Sequence, residues 1–112
     1  MRNGFDTLLS VVQNDFGYDL SFTLQDSAGV VLDISSSTLE FICQLESNAN
    51  VQFTGSMVIV NASSGQCKYT VRVTDFVASG LWNAQIRVTY TTGEVLSFTG
   101  IQVQADPALP IG

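Results

Sequence analysis

The clearest alternation of hydrophobic and polar positions runs from Gly80 to Phe98, GLWNAQIRVTYTTGEVLSF. Trp82, Ala84, Ile86, Val88 and Tyr90 form one row, and Leu81, Asn83, Gln85, Arg87 and Thr89 form the other. A strand sends successive side chains to opposite faces, so this stretch predicts a half-buried strand with Trp82 on its core side. Thr91-Thr92-Gly93 supplies a tight turn, after which Val95, Leu96 and Phe98 predict the returning strand of a hairpin. Leu96 and Phe98 stand at even positions, whereas Ile101 and Val103 stand at odd ones. A bulge at Thr99-Gly100 would let both pairs face inward.

The same period recurs upstream. Residues 1–6, MRNGFD, read as an arm in which Gly4 breaks regular structure and Phe5 can anchor. Thr7 to Gln13 predicts a first strand, turned by Asn14-Asp15-Phe16-Gly17. Leu20, Phe22 and Leu24 alternate with Ser21, Thr23 and Gln25 in a second. Asp26-Ser27-Ala28-Gly29 is a loop in which Asp can bond its own backbone, and Val30, Leu32 and Ile34 predict a short returning strand. Leu39, Phe41, Cys43 and Leu45 then oppose Glu40, Ile42, Gln44 and Glu46. Two weaker runs, 51–53 and 56–60, are separated by Thr54-Gly55. Gln66 to Thr74 places Cys67, Tyr69, Val71 and Val73 inward, and 75–79 is a loop or a single helical turn. Residues 105–112, ADPALPIG, form an extended tail with exposed Leu109 and Ile111. The expected domain therefore spans 7–104.

No helical period exceeds a turn. Seven to nine short strands with turn signals between them predict an all-β, antiparallel sandwich, with a small barrel as the alternative. The antibody-type Cys…Trp…Cys order is missing, because Trp82 follows both cysteines.

Composition adds that this fold is clothed in uncharged side chains. At 112 residues the chain is one domain, 46% hydrophobic but only 12% charged, about half the usual charged fraction. Ser, Thr, Asn and Gln must therefore cover its faces, which suits contact with other protein. Ten acids against four scattered bases give a net charge of −6. Such a balance argues against nucleic acid or an anionic membrane as a partner. Cys43 and Cys67 fall on inward rows of different strands, as buried thiols or, in an oxidising compartment, as an inter-sheet disulfide.

Candidate chemistry is sparse. With no histidine, the commonest general base and the usual catalytic zinc ligand are absent. Most acids occupy turns (Asp15, Asp26, Asp75, Glu94) or outward rows (Glu40, Glu46), where solvation is expected. Phosphate-loop, calcium-loop and dinucleotide motifs do not occur. The expectation is a non-enzyme with no metal or cofactor. A sugar-stacking platform would need exposed aromatics. Row parity buries Trp82, Tyr69 and Tyr90, leaving Tyr18 and Phe76 as candidates.

The order of features resembles a known family. Asp19 to Ser35, DLSFTLQDSAGVVLDIS, is similar to the L-x-F-x-L-x-D-x-x-G-x-x-x-D-L-S run that opens the immunoglobulin-like N-terminal domain of phage baseplate upper proteins. The strand at Thr38 to Cys43, Gly65-x-x-x-Tyr69, Gly80 to Gly93 and Ile101-x-Val103 follow in the family's order. The resemblance implies a virion component, assembled in the host cytoplasm, whose relatives dock onto the tail hub. It implies other virion proteins as partners and a homo-oligomeric or symmetric array. Since only ADPALPIG follows the domain here, a small tail or baseplate adaptor is expected. A capsid decoration protein and a carbohydrate- or receptor-binding module are the alternatives. The candidate partner-binding residues are Phe5, Leu109 and Ile111 on the arms and Leu81, Gln85 and Arg87 on the outward row of the hairpin.

Overall fold

The computed structural model describes residues 4–26 and 28–107, with side chains described from residue 8 onward. Among the described residues eight strands form, in chain order β1 (Gly4–Val12), β2 (Asp19–Thr23), β3 (Ser37–Leu45), β4 (Gln52–Ser56), β5 (Val58–Asn61), β6 (Gln66–Thr70), β7 (Gly80–Tyr90) and β8 (Val95–Asp106). A 3-10 turn, Ala62–Ser64, joins β5 to β6. The strands make two sheets, β1-β8-β7-β3-β4 and β2-β6-β5, which pack as a sandwich.

The inward rows meet between the sheets as the alternation predicts. Leu39, Phe41, Cys43 and Leu45 of β3 are buried together with Trp82, Ala84, Ile86 and Val88 of β7 and Cys67 and Tyr69 of β6. Phe41 stacks on Tyr69 with ring centroids 4.9 Å apart, and Phe76 meets Trp82 edge-on at 5.4 Å. The Trp82 indole N–H donates to the Ala78 carbonyl at 3.2 Å, so the ring is buried without leaving its donor unpaired. Both cysteines are buried free thiols.

The bulge forms where phase demands it. Ile86 pairs with Phe98 and Ala84 with Ile101, so Gln85 faces both Thr99 and Gly100. Gly100 sits at φ 85°, the left-handed region that glycine enters without a Cβ penalty. Phe98, Ile101 and Val103 are consequently all buried.

Several expectations are corrected. The sheets are mainly antiparallel, but β1 runs parallel to β8, with Leu9 beside Val103 and Val11 beside Ala105. β1 starts at Gly4, three residues before the predicted Thr7. β8 continues to Asp106, so Ala105, assigned to the tail, is a buried strand residue. The predicted strand over Val30 to Ile34 reduces to one isolated bridge, Gln25 to Val31. Asp26 accepts from the amides of Ala28 and Val30 and holds that loop closed, while the Leu32 and Ile34 amides are taken by the Leu24 and Ala62 carbonyls. Thr54-Gly55 does not interrupt β4. The break falls at Met57, where the chain leaves one sheet for the other. Val73 points outward and is exposed, because β6 ends at Thr70.

Candidate functional site

The outward row of β7 lies near the centre of the larger sheet, where β3 and β8 flank it. Leu81, Gln85 and Arg87 are half-buried by these neighbours. Across the ladders Leu81 faces Gln104, Gln85 faces Ile42, and Arg87 faces Glu40 on one side and Ser97 on the other. The sheet thus brings these three candidates onto one face, with Leu81 and Arg87 roughly 20 Å apart along the strand. The other candidates cannot be assembled with them. The backbone of Phe5 belongs to β1 while its side chain lies outside the described residues, as do Leu109 and Ile111.

On β3, β4 and β7 the outward positions are Thr38, Glu40, Ile42, Gln44, Gln52, Thr54, Ser56 and the β7 row, with Glu40 and Arg87 as the charges. Among the described residues the ion pairs are Lys68–Asp19 and Arg72–Asp75, so Arg87 and Glu40, though neighbours, are not locked together. Where the bulge lifts β8, a shallow groove of about 560 Å³ opens, lined by Gln44, Gln52, Asn83, Gln85 and Gln102 around Ile42. Side-chain amides carry both donors and acceptors and no net charge. Such a surface can pair with polar groups of a partner without the desolvation cost of buried ions.

Among the described residues, no three His, Cys, Asp or Glu side chains converge as metal ligands. Burial pushes the Cys43 thiol up to about 12, with the nearby Asp75 charge adding to the effect, and burial pushes Cys67 up to about 11. These thiols are packing groups, far from the thiolate state that reactivity requires.

Two expectations about polar and aromatic residues are overturned. Asp75, placed in solvent by its turn position, is 1% exposed. Its carboxylate accepts from the Tyr69 hydroxyl, from the Arg72 amide at 2.8 Å and from Arg72 Nε at 3.0 Å. Arg72 also reaches across to donate to the Thr54 carbonyl at 3.1 Å. This buried carboxylate is a clamp between β6, β4 and the following loop. The sugar-platform candidates fail as well. Phe76 is buried against Phe53 and Trp82. Tyr18 is half-buried with its hydroxyl enclosed and unpartnered among the described residues. Burial and the neighbouring Asp15 and Asp75 charges raise that hydroxyl's pKa. Among the described residues, the aromatic in solvent is Phe16, 60% exposed in the β1–β2 loop, which the sequence reading treated only as a turn residue.

No curated protein matches the chain. The family model described as the BppU N-terminal domain matches residues 5–111, all but the first four residues and the last. A match of that extent, on a two-sheet all-β fold, shows that the chain belongs to the family of baseplate upper protein N-terminal domains and is a structural protein of the phage baseplate or tail.

Proposed function

We propose that this domain is an assembly adaptor that binds other virion proteins through the outer face of its larger sheet, with Gln85 and Arg87 at the centre of contact and Leu81 at one end. The observation that supports this reading is the broad, amide-rich face itself, whose two opposite charges are left unpaired by the fold. A largely uncharged surface excludes water from a protein partner at little electrostatic cost, and one acidic partner residue opposite Arg87 would set register. Phe5 at the start of β1, with Leu109 and Ile111 of the C-terminal tail, supplies further apolar anchors in this scheme.

The test is incorporation. Tagged wild-type, Gln85→Glu and Arg87→Glu chains are expressed during infection, and purified particles are assayed for each. Loss of the variants from particles, with their folding intact, supports the reading. Incorporation of both at wild-type levels overturns it. A saccharide-binding role takes its support from the same amide-lined groove, since hydroxyls pair well with side-chain amides. Specific binding on a glycan array that Asn83→Ala abolishes would favour that role over the adaptor.

A further inference from the structure

The four strands at the sheet margins are not protected alike. β2 begins with Asp19, which takes the Thr70 hydroxyl and pairs with Lys68, so charge guards it. β4 is five residues long and polar on its outward row. β5 is only four residues long; it too is uncharged, with Val58 and Val60 exposed, but the residues flanking it are tied to other segments, Met57 N–H donating to the Leu39 carbonyl of β3 and Ile34 N–H to the Ala62 carbonyl, each 2.9 Å. β1 differs from all three. It is nine residues long, and among the described strands it pairs only with β8. Its one charge, Asp6, lies near its start, and the following stretch 7–12, TLLSVV, contains no charge and no proline. Natural sheets usually blunt an exposed edge with those devices, and an edge without them is a template for another strand.

The side chains specify which strand fits. Leu8, Ser10 and Val12 point outward, with Leu8 62% and Val12 40% exposed, while Leu9 is half-buried and Val11 buried. We infer that β1 pairs antiparallel with β1 of a second copy, about a two-fold axis through Ser10, joining two five-stranded sheets into one of ten strands. In that register Leu8 of each copy opposes Val12 of the other on the outer face, Leu9 opposes Val11 on the inner face, and the two Ser10 hydroxyls meet on the axis. Both exposed apolar groups find an apolar partner across the strands. Centring the axis on Leu9 instead sets Leu8 against Ser10, and a one-residue slip sends the rows to opposite faces. The outer-row sequence Leu-Ser-Val is therefore matched to itself in one register.

The contact is small beside the roughly 1,200 Å² or more of a stable interface, and each copy carries −6. The pairing is accordingly weak in dilute solution, is strengthened by salt, and is populated when copies are held close in an array. It is a property of the chain alone and is independent of which virion protein meets the outer face.

Cysteine scanning on the intact chain tests it, because the native Cys43 and Cys67 are buried. Ser10→Cys places one exposed thiol on the proposed axis, and Ser21→Cys places one on the charge-guarded edge β2 as a control. Under mild oxidation at high protein concentration, the Ser10→Cys chain is expected to cross-link about tenfold faster or more than the control. Adding Leu8→Lys to Ser10→Cys, with the fold verified by circular dichroism, should remove that advantage. Sedimentation velocity of the native chain should show dimer rising with concentration and with salt. Equal cross-linking by the two single variants, or an advantage unaffected by Leu8→Lys, overturns the pairing. Dimerisation abolished by Arg87→Glu but not by Leu8→Lys would do so too, by placing self-association on the sheet face.

Discussion

The hydroxyl of Tyr69 donates to the carboxylate of Asp75, six residues along the chain, and both groups are buried. The carboxylate is shared with Arg72, whose guanidinium lies 2.9 Å away and half in solvent. Tyr69 is held protonated by burial first and by this bond second, so its pKa is raised, and the Asp75 bond in turn raises that of Arg72. Removing Asp75 strips the compensation from a buried hydroxyl and an arginine together. Asp75→Ala is expected to cost about 3–5 kcal/mol, as for other broken buried pairs. Tyr69→Phe keeps the ring and loses one bond, costing about 1–3 kcal/mol. Urea titrations followed by Trp82 fluorescence give both numbers, and a smaller cost for Asp75→Ala than for Tyr69→Phe would show that the clamp is not the dominant tie.

The same tyrosine sets the residue beneath it. A Cβ on Gly55 would stand 2.4 Å from a Tyr69 ring carbon, so the β4 backbone and the ring touch only because no side chain intervenes. Gly55→Ala is expected to destabilise by about 1–3 kcal/mol through overpacking. Gly100→Ala acts differently: it forces a Cβ into a left-handed backbone at the bulge and costs about 1–2 kcal/mol. The two are separable by pairing each with Tyr69→Ala, which should relieve the Gly55→Ala strain and leave the Gly100→Ala cost unchanged in thermal melts.

Where local alternation decided burial, the fold was readable from the chain. The rows of β3 and β7 and the bulge at Thr99-Gly100 follow from parity, since a core face admits one register. What parity cannot report is which distant groups a turn will meet. Asp75 has the local look of a solvated turn acid, and it is buried because β6 and its loop bring Tyr69 and Arg72 around it. The Arg72-x-x-Asp75 pair between apolar Val71 and Phe76 was the available hint. Tyr18 and Phe76 were misplaced for the same reason. The parallel β1–β8 pairing joins strands at opposite ends of the chain and leaves no short-range trace. The outward row of β7 was visible as a face, but the amide groove on it arises only when β3, β4 and β8 line up beside it.

The two thiols predict an alkaline limit. Both have folded pKa values above the ordinary 9.0, about 12 for Cys43 and about 11 for Cys67, with desolvation as the leading cause. A raised folded pKa means that the unfolded chain releases its proton first as pH rises. The stabilising contribution is therefore complete below pH 9 and is lost progressively as pH climbs through 11 and 12. The raised Tyr69 adds a loss in the same direction above pH 10. Chemical denaturation at steps from pH 8 to 11 should show stability falling above 9, with a shallower fall in Cys43→Ala. In the native state at pH 8, a thiol-reactive chromophore should titrate neither cysteine, and unfolding should expose both. Rapid native labelling would contradict the burial of these strands.

Substitutions on the outer face should separate folding from assembly. Gln85 opposes Ile42 and the bulge, so Gln85→Glu meets no like charge across the ladder and should change stability by less than about 0.5 kcal/mol. Arg87→Glu sets a second carboxylate opposite Glu40, a cross-strand repulsion of at most about 1 kcal/mol. Trp82→Ala, one strand position from Leu81 but on the inner row, should cost about 3–5 kcal/mol. Melting curves of the three variants rank them by face. If the outer face is the docking surface, Gln85→Glu and Arg87→Glu lower particle incorporation far more than their stability predicts, and restoring opposite charges in Glu40→Arg/Arg87→Glu rescues stability without rescuing incorporation. Recovery of incorporation in the charge-swapped chain would mean that Arg87 acts within the sheet and not on a partner.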